Sequence, residues 1–140
     1  MAIKITPADK YFSLCVRERA DWTCQRCHKQ YEYKAQGLHC SHYFGRANHS
    51  VRFHELNAFA HCFGCHQKLS ANPDDFYHHY LETYGEGSRD ILLEAKNSIT
   101  LGRSIKKSLK DVAAHYREQH KAQRESRIDG KTGWLEFISY

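Results

Sequence analysis

Long apolar runs are missing from this sequence. None approaches the roughly 20 residues needed to cross a bilayer, so no membrane partner is expected. The N-terminus carries no signal-peptide pattern, which leads to the expectation of a cytoplasmic protein. Internal repeats and low-complexity tracts are also absent. Proline is scarce, with only Pro7 and Pro73, and both sit where helices would begin. A chain of 140 residues is enough for one domain with a modest core.

What is present is cysteine at metal spacing. Cys24-Gln25-Arg26-Cys27 and Cys62-Phe63-Gly64-Cys65 are two pairs, each with two intervening residues. In a reducing compartment such pairs bind metal more often than they form disulfides. Four thiolates in two chelating pairs suit tetrahedral Zn²⁺. The expected role of that zinc is structural, stapling the N-terminal arm to a central helix. Cys15 and Cys40 fall outside the pairs and read as packed residues.

Charge is unevenly placed. The net charge is +5, and residues 103–127 hold eight Lys/Arg against three acids, so that segment alone accounts for it. A basic segment on a neutral body suits a polyanion such as DNA, although a solvated helix face has the same composition. Ile105, Leu109, Val112 and Tyr116 recur at helical spacing and predict an amphipathic helix over about 103–124. Lys106, Lys110, Arg117 and Lys121 would flank its buried stripe.

The remaining elements follow from capping and alternation. Thr6-Pro7 predicts a helix over about 6–20, Asn72-Pro73 one over 74–84, and the Ile91, Leu92, Ala95 spacing one over 88–97. Leu38–Phe44 and Asn57–Cys62 read as paired strands, with a helix starting near His66. Trp134–Tyr140 alternates and predicts a short terminal strand. The fold class expected is α+β in a single domain, with its core over 22–85.

Phosphodiester hydrolysis requires a base for water, a cation for the developing charge and a group that orients the base. His42 on one strand, Asn57 on the next and His66 at the head of a helix could converge across a hairpin–helix unit. This pattern, with Cys62-x-x-Cys65-His66, resembles the HNH (ββα-metal, treble-clef-like) endonucleases of the four-cysteine type. Ser41-His42-Tyr43, Arg52-Phe53, Leu56-Asn57, His61-Cys62, Cys65 and Ser70 more narrowly resemble the NinG/Rap family of lambdoid phage recombination nucleases. The similarity spans roughly residues 22–97.

The resemblance implies His42 as general base, Asn57 as the residue orienting it, and His66 as ligand of one catalytic Mg²⁺ or Mn²⁺. It implies branched DNA, such as a Holliday junction or D-loop, as substrate, and phage recombination in the host cytoplasm as setting. Recombination proteins are expected partners, and a junction resolvase is expected to dimerise. One departure stands out. Many HNH enzymes carry a metal ligand immediately before the base, where this chain has Ser41. His39, three residues before the base, falls on the opposite strand face by alternation unless a bulge intervenes.

Arg46 and Arg52, in the loop between the strands, and Lys106, Lys107, Lys110 and Arg117 are the expected phosphate contacts. A catalytically silent zinc module binding DNA or a recombination protein is the rival reading, as is an RNA-directed or homing-type HNH enzyme.

Overall fold

The computed structural model describes residues 3–140. Its elements are α1 (Pro7–Arg19), β1 (Leu38–His42), β2 (Ala58–Cys62), α2 (Phe63–Ala71), α3 (Pro73–Thr83), α4 (Glu86–Lys96), α5 (Ile99–Lys107) and α6 (Leu109–Ile128). A single 3₁₀ turn, Glu55–Asn57, leads into β2. The architecture is α+β, as expected, with six helices around one two-stranded sheet. No helix is long and apolar enough to cross a membrane among the described residues.

α1 starts where its cap residues place it. The Thr6 side chain accepts from the Asp9 N–H, and the Asp9 carboxylate accepts from the Thr6 N–H at 2.8 Å, a reciprocal cap. Pro7 occupies the first turn, where its missing N–H costs nothing. The helix packs along α6, with Phe12 edge-on to Tyr116, Phe53 and Phe137. Arg19, 1% exposed, donates to the carbonyls of Glu55 and Ala58 and to the Tyr84 hydroxyl. A buried guanidinium thus fixes the end of α1 against the entry to β2 and the end of α3.

β1 and β2 pair antiparallel in unbroken register, from Leu38 opposite Cys62 to His42 opposite Ala58. There is no bulge, so alternation holds. His39, Ser41, Phe59 and His61 share the face toward α2 and α3, while Leu38, Cys40, His42 and Ala60 share the face toward α1. Phe59 and His61 pack on Phe76 and His79 of α3. Among the described residues the sheet has only these two strands, which leaves the other edge of β1 without a partner strand there.

Two sequence expectations are corrected. The basic helix over 103–124 is two helices, because the chain turns at Ser108 between α5 and α6. The apolar stripe was legible, since Ile105, Val112 and Tyr116 are all buried, but the break lets α5 pack toward the 45–50 loop. The terminal strand also does not form. Its alternation is real, with Phe137 buried and Trp134 and Ile138 exposed. However, the segment lies on α1 and α6. Leu135 N–H donates to the Arg19 carbonyl, Ile138 N–H to the Gln119 side chain and Tyr140 N–H to the Tyr116 hydroxyl.

Candidate metal centre and catalytic cleft

The four paired cysteines meet. Their sulfurs all lie within 4.8 Å of one another, and Cys27 Sγ is 3.8 Å from Cys62 Sγ. Sulfurs bound tetrahedrally at about 2.3 Å from zinc stand roughly 3.8 Å apart, so the cluster is compact enough to close on that ion. No disulfide is present among the described residues. Cys24–Cys27 sits on a tight turn and Cys62–Cys65 on the first turn of α2, and in both the backbone donates to sulfur: Cys27 N–H to Cys24 Sγ and Cys65 N–H to Cys62 Sγ, both at 3.5 Å. Burial opposes ionisation of Cys62, but the Cys65 N–H and the neighbouring thiols outweigh it and bring that thiol down to about 7.

The first turn is tied to the sheet independently of any metal. Gln25 N–H donates to the Ala60 carbonyl, and the Gln25 side-chain oxygen accepts from the Ala60 N–H, both at 2.8 Å. The cluster therefore joins the N-terminal arm, the end of β2 and the start of α2 at one point.

Next to it is an open cleft of about 980 Å³ along the unpaired edge of β1. Because it follows an edge, side chains from both sheet faces border it. His39, His42, His66, Arg46, Lys10 and Arg17 are among its lining residues. Two residues expected at the site, His42 and His66, are thus brought together, along with Arg46.

His42 rests beside Phe12. Its Nε2 lies 3.0 Å from the Arg52 carbonyl oxygen. That oxygen can only accept, so Nε2 carries the proton and Nδ1 keeps a lone pair. Burial, aided by the positive charge of Arg46, pushes the imidazole down to about 4, against the pull of the Arg52 carbonyl. His42 is accordingly neutral at pH 7, with Nδ1 as its acceptor atom.

Asn57 occupies a different role from the one expected. It makes no hydrogen bond to His42. Its side chain accepts from the Phe44 N–H at 2.8 Å and donates to the carbonyls of Phe44 and Val51 at 2.9 and 3.0 Å. It is fully buried. Asn57 therefore pins the loop between the strands, including the residue next to the carbonyl that holds His42.

Arg52 is not a surface cation. It is 3% exposed, and its guanidinium donates to both Asp9 oxygens at 2.9 and 2.6 Å and to the Lys4 carbonyl. The expected phosphate contact is replaced by a buried ion pair that locks the loop to α1. Arg46 has the opposite fate. It is half-buried at the cleft, and its side chain makes no hydrogen bond or ion pair among the described residues. Lys106, Lys107, Lys110 and Arg117 are exposed and do not line the cleft. The charge of Lys106 is nevertheless felt at His49, which places it near the loop that carries Arg46.

The sequence missed His39. Its Nδ1 lies 3.1 Å from His66 Nδ1. The available signal was the spacing to Ser41, two residues along and on the same face. His61, by contrast, is turned away from the cleft into a buried pair with His79, Nε2 to Nε2 at 2.9 Å. Ser41 is fully buried and its hydroxyl has no partner.

The sequence model of one family, described as Bacteriophage Lambda NinG protein, matches residues 5–126. No curated protein and no solved structure matches the chain.

Proposed function

From membership of the bacteriophage lambda NinG family, to which this chain belongs, we propose that the protein is a metal-dependent endonuclease of the HNH class acting on branched DNA in phage recombination. The observation that carries this reading is the meeting of three features in one cleft: a neutral, oriented His42, an imidazole pair including His66, and an unpaired Arg46.

In this reading His42 takes a proton at Nδ1 from the attacking water, while the Arg52 carbonyl holds Nε2–H and steadies the imidazolium that forms. Arg46 binds a non-bridging phosphate oxygen and keeps the phosphate in line with that water. His66 would hold the divalent cation, which would supply Lewis-acid stabilisation of the phosphate and leaving oxygen. Asn57 and the Asp9–Arg52 pair keep the loop, and hence Arg46 and the Arg52 carbonyl, in place. The zinc cluster fixes α2 against the hairpin. Exposed cations on α5 and α6 add phosphate contacts that do not read sequence.

The second reading is a zinc module that binds branched DNA without cutting. Ser41 favours it, because the place of a metal ligand holds a buried hydroxyl. The two separate in one assay with supercoiled, linear and four-way-junction DNA, Mg²⁺ or Mn²⁺, and His42→Ala alongside wild type. The nuclease reading expects junction cleavage that drops at least 100-fold in His42→Ala. Binding without cutting, or equal cutting by the variant, overturns it. Any dimer that pairs two cuts must use a surface other than a free 134–140 strand, since that segment lies on α1 and α6.

A further inference from the structure

We infer that His39 and His66 together form the nitrogen half of a divalent transition-metal site, with His39 replacing the ligand that Ser41 does not supply. This rests on the nuclease reading of the cleft and assigns the chemistry of its cation.

The geometry is specific. The two Nδ1 atoms are 3.1 Å apart, with ring planes at 82°. Two nitrogens bound at right angles, each about 2.1 Å from an ion, stand about 3.0 Å apart. The separation therefore matches two imidazoles holding one ion through Nδ1, each with its proton on Nε2. The exposed ring of Phe63 packs edge-on against His39, at 5.8 Å and 79°, and sets its plane. His39 belongs to the sheet and His66 to α2, so the pair spans the two elements that the cysteine cluster clamps.

Ser41 shares the face of His39 but is fully enclosed. Among the described residues, the only carboxylate lining the cleft is Asp9, and its oxygens are taken by Arg52 and Thr6. The donor set is thus two imidazoles, with the other positions left to water and phosphate oxygens. Imidazole suits Fe²⁺, Ni²⁺, Cu²⁺ and Zn²⁺, whereas Mg²⁺ and Ca²⁺ seek oxygen and Mn²⁺, the weakest nitrogen binder of the first-row ions, is the spectroscopic probe of the site. The site should favour a transition ion over Mg²⁺.

The test uses the zinc-loaded 140-residue chain titrated with Mn²⁺, followed by loss of the free-ion electron paramagnetic resonance signal. Nitrogen spin-echo modulation then reports imidazole on the bound ion. Wild type should bind one Mn²⁺ per chain with nitrogen coupling. His39→Ala and His66→Ala should each raise its Kd at least tenfold, and His42→Ala should change it less than twofold. His39→Gln, similar in size, should behave as His39→Ala, with zinc content and Tm showing that both variants fold. Unchanged Mn²⁺ binding and modulation in folded His39→Ala, or no binding by wild type, overturns the inference. His39-dependent binding by a protein that cuts no DNA supports the site and removes the nuclease reading. Cleavage that His39→Ala leaves intact does the reverse.

Discussion

Asn57 holds both backbone groups of Phe44, accepting from its N–H and donating to its carbonyl across 13 residues of chain. A third bond, to the Val51 carbonyl, closes the loop between β1 and β2. The loop carries Arg46 into the cleft and ends at the carbonyl that orients His42.

Asn57→Ala strands these three peptide groups in a buried site. The cost should be roughly 3 kcal/mol in urea unfolding. DNA cleavage measured well below the melting temperature should fall at least tenfold, because both Arg46 and the Arg52 carbonyl lose their support. Asn57→Asp keeps the bond to Phe44 N–H and loses both donors, so it should lie between. Cleavage by Asn57→Ala at the wild-type rate would remove the positioning role.

The cysteine cluster carries the next expectation. Protein purified without chelators should contain one zinc per chain. Cys62→Ser, which removes a ligand at the head of α2, should lose the zinc and lower Tm by about 10 °C or more. Wild type treated with a strong chelator should melt like the variant. Cys15→Ser tests the assignment from the other side. Cys15 is buried and not part of the cluster, its thiol donating to the Tyr116 carbonyl, so zinc content should be unchanged.

Much of this arrangement is legible in the sequence where one short segment decides it. Thr6-Pro7-Ala8-Asp9 contains its own cap, and Cys-x-x-Cys contains its own turn. What escapes are relationships between distant segments. Arg52 reads as a loop cation because nothing near it names Asp9, 43 residues away, as its partner. His39 reads as facing away from the site because alternation is judged against His42. The relevant reference is α2, which packs on the face opposite His42. The Trp134–Tyr140 alternation correctly gives the buried side, but alternation does not say whether the partner is a strand or a helix pair. Ser108 interrupts a continuous apolar stripe without a proline or glycine, so periodicity alone carries straight through it.

Acid should unfold the protein through Glu18. This carboxylate is fully buried and accepts from Trp22, His120, Arg124 and Arg127. Burial alone would raise it, but the bonds from His120, Arg124 and Arg127 outweigh burial and hold it at about 2. Its folded value is below its unfolded value, so its stabilisation is complete above about pH 4.5 and is lost as pH falls toward 2. The difference corresponds to about 3 kcal/mol. Urea midpoints measured from pH 6 to pH 2 should fall across that window. Glu18→Gln should flatten the fall and cost roughly 3–5 kcal/mol at pH 7, since Arg124 and Arg127 lose their counter-charge. A variant with the wild-type pH profile would exclude Glu18 as the titrating group.

The cations should divide into three kinds by their response to DNA and salt. Lys106 and Lys107 are exposed at the end of α5, near the cleft loop but outside the cleft. Changing both to Ala should weaken junction and duplex binding alike and reduce the slope of log K against log salt by about 2, one counterion for each lost phosphate contact. Arg46→Ala should alter that slope by no more than about 1 and lower single-turnover cleavage about 100-fold, because its charge acts at the scissile phosphate. Arg52→Ala should leave the salt slope unchanged and instead destabilise the fold by roughly 3–5 kcal/mol, since Asp9 would remain buried without its partner. Fluorescence anisotropy across a salt series gives the slopes, and urea unfolding gives the third quantity. A normal salt slope in Lys106→Ala/Lys107→Ala would move the DNA path off α5. A reduced slope in Arg52→Ala would mean that the Asp9 pair opens to let Arg52 reach phosphate.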